Sequence, residues 1–373
     1  LNVAEKLGQA PFLQCENGHE FINMCSCSYL GLDVHPKILQ GSISALEKQG
    51  TLLISTSRLR IHLSYIEEVE SVLTDLFQTK SVTTLSCGSA SSGILPVLAS
   101  GHLTGGTQPL MIFDKNCHFS MNHIKPVCGD ETRVVTCAHN DIDFIESQCK
   151  KGGPVVYVAD GAYSMGGHTP IKALLELQDK YGLYLYFDDS HSLSVIGDTG
   201  AGFVRSHMDE VSQRTIIVAS LGKAFGATGG VVMMNEKTNI KLIERFGGPM
   251  GWSQSINVAA MGAIMASAEI HASPELGRLQ NKLRQNIKLF DDTITTVNAD
   301  TPLPIRVVPI RSPENAVECS RFIFDHGFYS SAVFFPIIAK GTAGLRVMPR
   351  ADLATADIER FNQVVNTARQ QFA

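Results

Sequence analysis

Thr215-Ile216-Ile217-Val218-Ala219-Ser220-Leu221-Gly222-Lys223-Ala224-Phe225-Gly226 runs from a continuous apolar stretch into a turn of small residues that holds one lysine. Upstream, Leu183-Tyr184-Leu185-Tyr186-Phe187-Asp188-Asp189-Ser190-His191 ends a second apolar stretch in two carboxylates and a histidine. Pro109–Asp114 and Pro154–Asp160 have the same form. Each stretch is apolar throughout rather than alternating, as a strand buried on both faces must be. Between two of them, Ile171–Tyr181 places Leu174, Leu175, Leu177 and Tyr181 at helical spacing. Strand–helix–strand order predicts an α/β fold, with a mostly parallel sheet and helices on both faces. Ligands bind beyond the carboxyl ends of such strands. Asp114, Asp160, Asp188 and Ser220 all fall at those ends, so they are expected on one rim.

The 373 residues are 44% hydrophobic, enough for a large core and about two domains. The net charge of −5 gives no basic footprint for nucleic acid. No apolar run reaches the roughly 18–20 residues that a membrane span needs. Leu1-Asn2-Val3-Ala4-Glu5-Lys6 has neither a basic nor an apolar leader segment, so a cytoplasmic location is expected. The first residue is not Met, which leaves open whether the chain is an excised domain of a larger protein. Nine cysteines at irregular spacing fit free thiols in a reducing compartment. Cys25-Ser26-Cys27 has no second pair at ligand spacing, so no metal is expected.

The texture changes after Gly251. Ser255–Ala268, rich in Ala and Met, reads as a long helix. From about residue 285 a smaller α+β domain begins, with strands at Ile305–Ile310 and Gly344–Met348. The expected division is 51–284 for a large domain and 285–373 for a small one, with 1–50 packing on the small one.

Alone, Lys223 would be a solvated loop residue. Beyond a strand end, and downstream of Asp188, it reads differently. A desolvated lysine amine can act as nucleophile and then as base. A carboxylate ending an apolar strand needs a partner. A pyridine aldehyde cofactor uses both groups, the amine on its aldehyde and the carboxylate on its ring nitrogen. That is pyridoxal 5'-phosphate chemistry. Cys87-Gly88-Ser89-Ala90-Ser91-Ser92-Gly93 opens a helix with small residues, a backbone cradle for phosphate, although such starts are common. His118 lies just past a strand, where an imidazole can stack on a ring or shuttle a proton. Most lone histidines are structural. Arg346 is a charge within a strand-like run. It reads as one half of a salt bridge or as a clamp for a carboxylate.

The motifs together resemble the α-oxoamine synthases, a branch of the fold type I pyridoxal phosphate enzymes, over roughly residues 20–370. Ser28-Tyr29-Leu30-Gly31-Leu32 with His35-Pro36 is similar to that family's entry motif. His118-Phe119-Ser120, His139-Asn140-Asp141, Tyr163-Ser164-Met165-Gly166-Gly167 and Asp188-Asp189-Ser190-His191 follow in family order. So do Ser220–Gly226 and Leu345-Arg346-Val347. The resemblance implies a large domain with a seven-stranded sheet, a smaller C-terminal domain, and a homodimer. It implies Lys223 as the lysine that bonds the cofactor, Asp188 at the ring nitrogen, and His191 and Ser164 at the ring hydroxyl. His118 would stack on the ring. Ser220 and the backbone of Gly88 and Ser89 would hold the phosphate. Arg346, with Ser28 nearby, would take the substrate carboxylate.

The implied reaction is a decarboxylative condensation of an amino acid with an acyl thioester, carried on coenzyme A or an acyl-carrier protein. Ser28, Ser89, Gly166-Gly167-His168 and Ser194 depart from the family pattern, mainly on the substrate side. The departures argue against the biotin and haem branches. They fit a secondary-metabolite relative, such as the type that joins arginine to a short acyl group in saxitoxin-like pathways. An aminotransferase or an aldolase-type lyase on the same fold is the alternative, and a non-catalytic scaffold subunit a further one.

Overall fold

The computed structural model describes residues 4–6, 11–299 and 301–372. Along the chain come β1 (Ala4–Lys6), β2 (Phe12–Cys15) and β3 (Glu20–Asn23), then β4 (Lys80–Thr84), β5 (Leu110–Asp114) and β6 (Val134–Cys137). Next are β7 (Val155–Asp160), β8 (Tyr184–Asp188), β9 (Thr215–Ser220) and β10 (Gly230–Met234). The last are β11 (Arg306–Ile310), β12 (Phe328–Tyr329), β13 (Ser331–Phe334) and β14 (Ala343–Val347). The chain divides into two compact units. The larger takes Pro36–Tyr163 and His168–Ser273. The smaller takes the described residues up to His35, Ser164–Gly167, and those from Pro274 onward.

The larger unit is built on a seven-stranded sheet in the order β4-β10-β9-β8-β7-β5-β6. β10 runs antiparallel to both its neighbours, and the other adjacent pairs are parallel. All six residues of β7 are buried, which is why its sequence is apolar throughout. The Ile171–Tyr181 helix buries Ile171, Leu174 and Leu177 and stops at Gly182, whose φ of 72° ends the helix. The expected Ser255–Ala268 helix spans Val258–His271, because the Asn257 side chain caps it by accepting from the Ala260 amide. That helix lies against Pro36–Gln49 through two glycines. A Cβ on Gly262 would come within 2.2 Å of the Gly41 carbonyl oxygen. The first long helix therefore groups with the larger unit, and the contacts divide the chain at His35 rather than at residue 50.

In the smaller unit, β11, β14 and β13 form an antiparallel sheet. β1, β2 and β3 pair antiparallel, and β12 adds to β3 in parallel. The helices Pro313–Asp325 and Thr355–Phe372 supply Cys319, Ile323, Phe361 and Val365 to a core with Val308 and Leu345. Arg306 is wholly buried. It is held by both Asp291 carboxylate oxygens at 2.7 Å and by the carbonyls of Leu303, Ala299 and Thr301. All nine cysteines are free thiols. No helix among the described residues is long and apolar enough to cross a membrane.

Two outcomes follow from this packing. Gly262→Val should lower stability by about 1–3 kcal/mol through overpacking, read as a lower urea midpoint. Asp189 is wholly buried. One of its oxygens accepts from the Val204 amide at 2.8 Å and the other has no partner among the described residues. Burial pushes this carboxyl up to about 7, whereas the unfolded chain releases that proton near about pH 4. Raising the pH from about 4 to about 7 therefore removes stability, because the folded state holds the proton that the unfolded state has lost. Asp189→Asn should flatten that part of the stability–pH curve, measured by denaturant titrations at several pH values.

Candidate active site

The strand ends place the expected residues. Asp114, Asp160, Asp188 and Ser220 are the last residues of β5, β7, β8 and β9, and parallel pairing aligns the three carboxylates along one rim. Asp188 is 4% exposed. Four donors converge on it. The Ser190 hydroxyl at 2.5 Å and the Ser190 amide at 3.1 Å reach one oxygen. The Cys87 thiol at 3.2 Å and the Ser120 hydroxyl at 3.3 Å reach the other. Burial, and then Asp188 itself, push the Cys87 thiol well above its ordinary value, so the sulfur keeps its proton and donates. The Ser190 oxygen also accepts from the Ser220 amide at 2.8 Å, which ties the β8 end to the β9 end.

Asp160 sits directly across the ladder from Asp188. Burial and the Asp188 charge push it well above the ordinary carboxylate range. Two carboxylates side by side in a dry environment cannot both ionise cheaply. Asp160 accepts from the His118 amide at 2.7 Å, which sets that histidine at the rim. His118 is exposed, and its Nδ1 lies 2.9 Å from the Ser120 hydroxyl.

Lys223 follows β9 in a turn between Gly222 and Ala224 and is half-buried. Its Nζ donates to His191 Nε2 at 2.9 Å. His191, three residues past Asp188, is 4% exposed. Lysine, histidine and carboxylate are thus assembled from two adjacent strand ends.

The Cys87–Ala99 helix starts at the same rim with a capping box. The Ser86 hydroxyl accepts from the Ser89 amide at 3.0 Å, and the Ser89 hydroxyl accepts from the Ser86 amide at 2.9 Å. The Ser89 amide, expected to face a phosphate, is therefore committed to the cap. The Gly88 amide has no acceptor among the described residues. Close approach of backbone at this point requires Gly230, where a Cβ would fall 2.6 Å from the Cys87 nitrogen.

Three expected residues belong to the smaller unit. Ser164 is half-buried. Ser28 is buried and donates its hydroxyl to Asp33 at 2.7 Å, so that hydrogen is not available to a substrate carboxylate as expected. Arg346 lies in β14 with its Nε buried and without a partner among the described residues. Arg350, in contrast, is paired with Asp33 and Asp352.

Cys87, Ser120, Ser190 and Asp160 are site residues that the motifs passed over in assigning roles. Ser190 was within reach of inspection, since it lies between Asp188 and His191. Cys87 and Ser120 meet Asp188 only through the fold.

The chain matches the aminotransferase class I and II family over residues 19–365. It is 27% identical to the 8-amino-7-oxononanoate synthase of Alkaliphilus metalliredigens, covering 95% of this chain and 89% of that protein. It is 26% identical to the serine palmitoyltransferase of Bacteriovorax stolpii, covering 95% and 84%. The structure of a serine palmitoyltransferase from S. paucimobilis with bound PLP superposes with a TM-score of 0.87 at 21% identity, over 100% of this chain and 93% of that one. With the seven-stranded sheet, these matches establish that the chain belongs to the aminotransferase class I and II family and has the fold of the serine palmitoyltransferase structures.

Proposed function

We propose that the chain joins an α-amino acid to an acyl thioester with loss of carbon dioxide, giving an α-amino ketone, on pyridoxal phosphate bonded to Lys223. The observation that carries this reading is the 2.9 Å contact between Lys223 and His191 on the rim that also holds Asp188. The names of its relatives, 8-amino-7-oxononanoate synthase and serine palmitoyltransferase, support it.

The donor set fits the cofactor. A carboxylate held by four donors at a strand end suits a ring nitrogen that carries a proton. The Gly88 amide, which has no acceptor among the described residues, lies in the first turn of the 13-residue Cys87–Ala99 helix, whose N-terminus favours a phosphate. The Ser220 hydroxyl is the second group we assign to that phosphate. His191 and Ser164 are assigned to the ring hydroxyl, and His118 to the face of the ring. Arg346, half-buried and without a carboxylate partner among the described residues, is assigned to the carboxylate of the amino acid.

Bound there, pyridoxal phosphate supplies an electron sink for the α-carbon. Lys223, its amine freed when the amino group of the substrate takes its place, would remove the α-proton and later return one to the same carbon. Arg346 fixes the carboxylate until it leaves as carbon dioxide. His118 donates toward the acyl carbonyl oxygen while the carbon–carbon bond forms and the thiol departs. Asp188 keeps the positive charge on the ring nitrogen, and Asp160 keeps His118 in position. Holding two substrates in register accounts for much of the acceleration.

A homodimer is part of this reading. The thioester carrier is coenzyme A or an acyl-carrier protein.

Purified protein given pyridoxal phosphate should show a visible absorption band that Lys223→Ala lacks. The variant should lose on the order of 10²–10⁴-fold in condensation rate, read as thiol release. The amino acid that perturbs the band, from a panel including serine and arginine, identifies the first substrate. A protein that stays colourless overturns the reading. Amine transfer to a keto acid without any thioester would instead favour the aminotransferase alternative.

Arg346→Ala should leave the band in place and raise KM for the amino acid at least tenfold, in keeping with the loss of about 1.5–3 kcal/mol per charge-assisted hydrogen bond. An unchanged KM would remove Arg346 from the site.

A further inference from the structure

The Val258–His271 helix ends in a buried histidine that touches both loops of the rim. His271 is 2% exposed. Its Nδ1 lies 2.8 Å from the carbonyl of Ser267, one turn back. A carbonyl only accepts, so Nδ1 carries the hydrogen and Nε2 is left as an acceptor. The Ser194 hydroxyl lies 2.8 Å from Nε2 and donates to it. Burial lowers the imidazole to about 4, which keeps this arrangement neutral.

Ser194 lies three residues beyond His191. It is fully buried and has φ +69°. A residue with a Cβ is strained there relative to glycine. A buried serine in that conformation has to be held. Its amide donates to the Gly200 carbonyl at 2.7 Å, and its hydroxyl is taken by His271. Gly200 leaves no slack, since a Cβ on it would sit 2.9 Å from both His271 Cδ2 and Ser194 Cα.

The same helix end grips the other loop. The Ser267 hydroxyl donates to the carbonyl of Phe225 at 2.6 Å. The Phe225 ring packs on the His271 imidazole with centroids 4.5 Å apart and planes at 30°. Phe225 is two residues from Lys223. One imidazole is therefore bonded toward the His191 loop and packed against the Lys223 loop, and those loops meet only 2.9 Å apart at the Lys223–His191 contact.

We propose that His271 is a positioning residue that sets the Lys223 amine against His191, acting through Ser194 on one side and Phe225 on the other. The proposal rests on the assignment of pyridoxal phosphate to Lys223. It goes beyond that assignment in naming what holds the amine in place and why a serine persists where glycine would be easier.

The test follows the growth of the visible band after pyridoxal phosphate is added to cofactor-free protein, at a temperature where circular dichroism shows every variant folded. Borohydride trapping and peptide mass spectrometry count the Lys223 that has reacted. Ser194→Gly is the decisive variant, because it relaxes the backbone and removes only the hydroxymethyl group, so folding is not at risk. Ser194→Gly and His271→Phe should each slow band formation about tenfold or more. His271→Gln, which can again accept from Ser194, should return to within about threefold of the parent. The double variant should be no slower than the slower single one. Equal rates in Ser194→Gly and the parent, with any change confined to the melting temperature, would overturn the positioning role and leave Lys223 as the cofactor lysine. A parent chain that forms no band at all would overturn the cofactor assignment itself.

Discussion

The candidate site depends on a buried carboxylate at the end of a central strand. Asp188 lies among apolar neighbours where an isolated charge is costly, and it is stable there because Ser190, Cys87 and Ser120 all turn donors toward it. Each donor comes from a different place: the loop after β8, the first turn of the Cys87–Ala99 helix, and the short Phe119–Asn122 helix after β5. Satisfying one carboxylate therefore fixes three segments around the rim. The Ser190 oxygen passes the constraint on to the β9 end, and so to the turn that carries Lys223.

The neighbouring carboxylates divide the work. Asp160, opposite Asp188, is pushed upward by burial and by its neighbour's charge, and it holds the His118 amide. Asp114, wholly buried, accepts from Tyr157, His139 and the amides of Asn116 and Asn140. Burial alone would raise it, but the hydrogen bonds outweigh burial and hold it below the ordinary range. Three acids at equivalent strand ends thus meet three different environments. Their roles come from their donors rather than from their identity.

The arginines of the smaller unit show the same logic in reverse. Arg306 is saturated by Asp291 and backbone carbonyls, and Arg350 by Asp33, Asp352 and Ser26. Both are internal fastenings, and breaking such a pair would strand a buried charge. Arg346 has no such partner among the described residues, and its Nε is buried without an acceptor. Ser28 behaves in the opposite way, since Asp33 already takes its hydroxyl hydrogen.

Much of this was legible in the sequence. Strands buried on both faces must be apolar throughout, so β5, β7, β8 and β9 could be read within a residue or so, and with them the parallel sheet and the rim of Asp114, Asp160, Asp188 and Ser220. Lys223, Asp188 and His191 were legible because their spacing is local to two strand ends. The partners of those residues were not, because they meet them across the fold. Cys87 is 101 positions from Asp188 and His271 is 77 from Ser194, and no periodicity encodes such pairs. The loss of the Ser89 amide to a capping box and of the Ser28 hydroxyl to Asp33 was likewise hidden, since both depend on where a hydrogen points. Sequence by itself determined which groups stand at the rim. Only the tertiary structure decided which of their hydrogens and lone pairs are already used, because hydrogen bonding is satisfied by neighbours in space and not by neighbours in the chain.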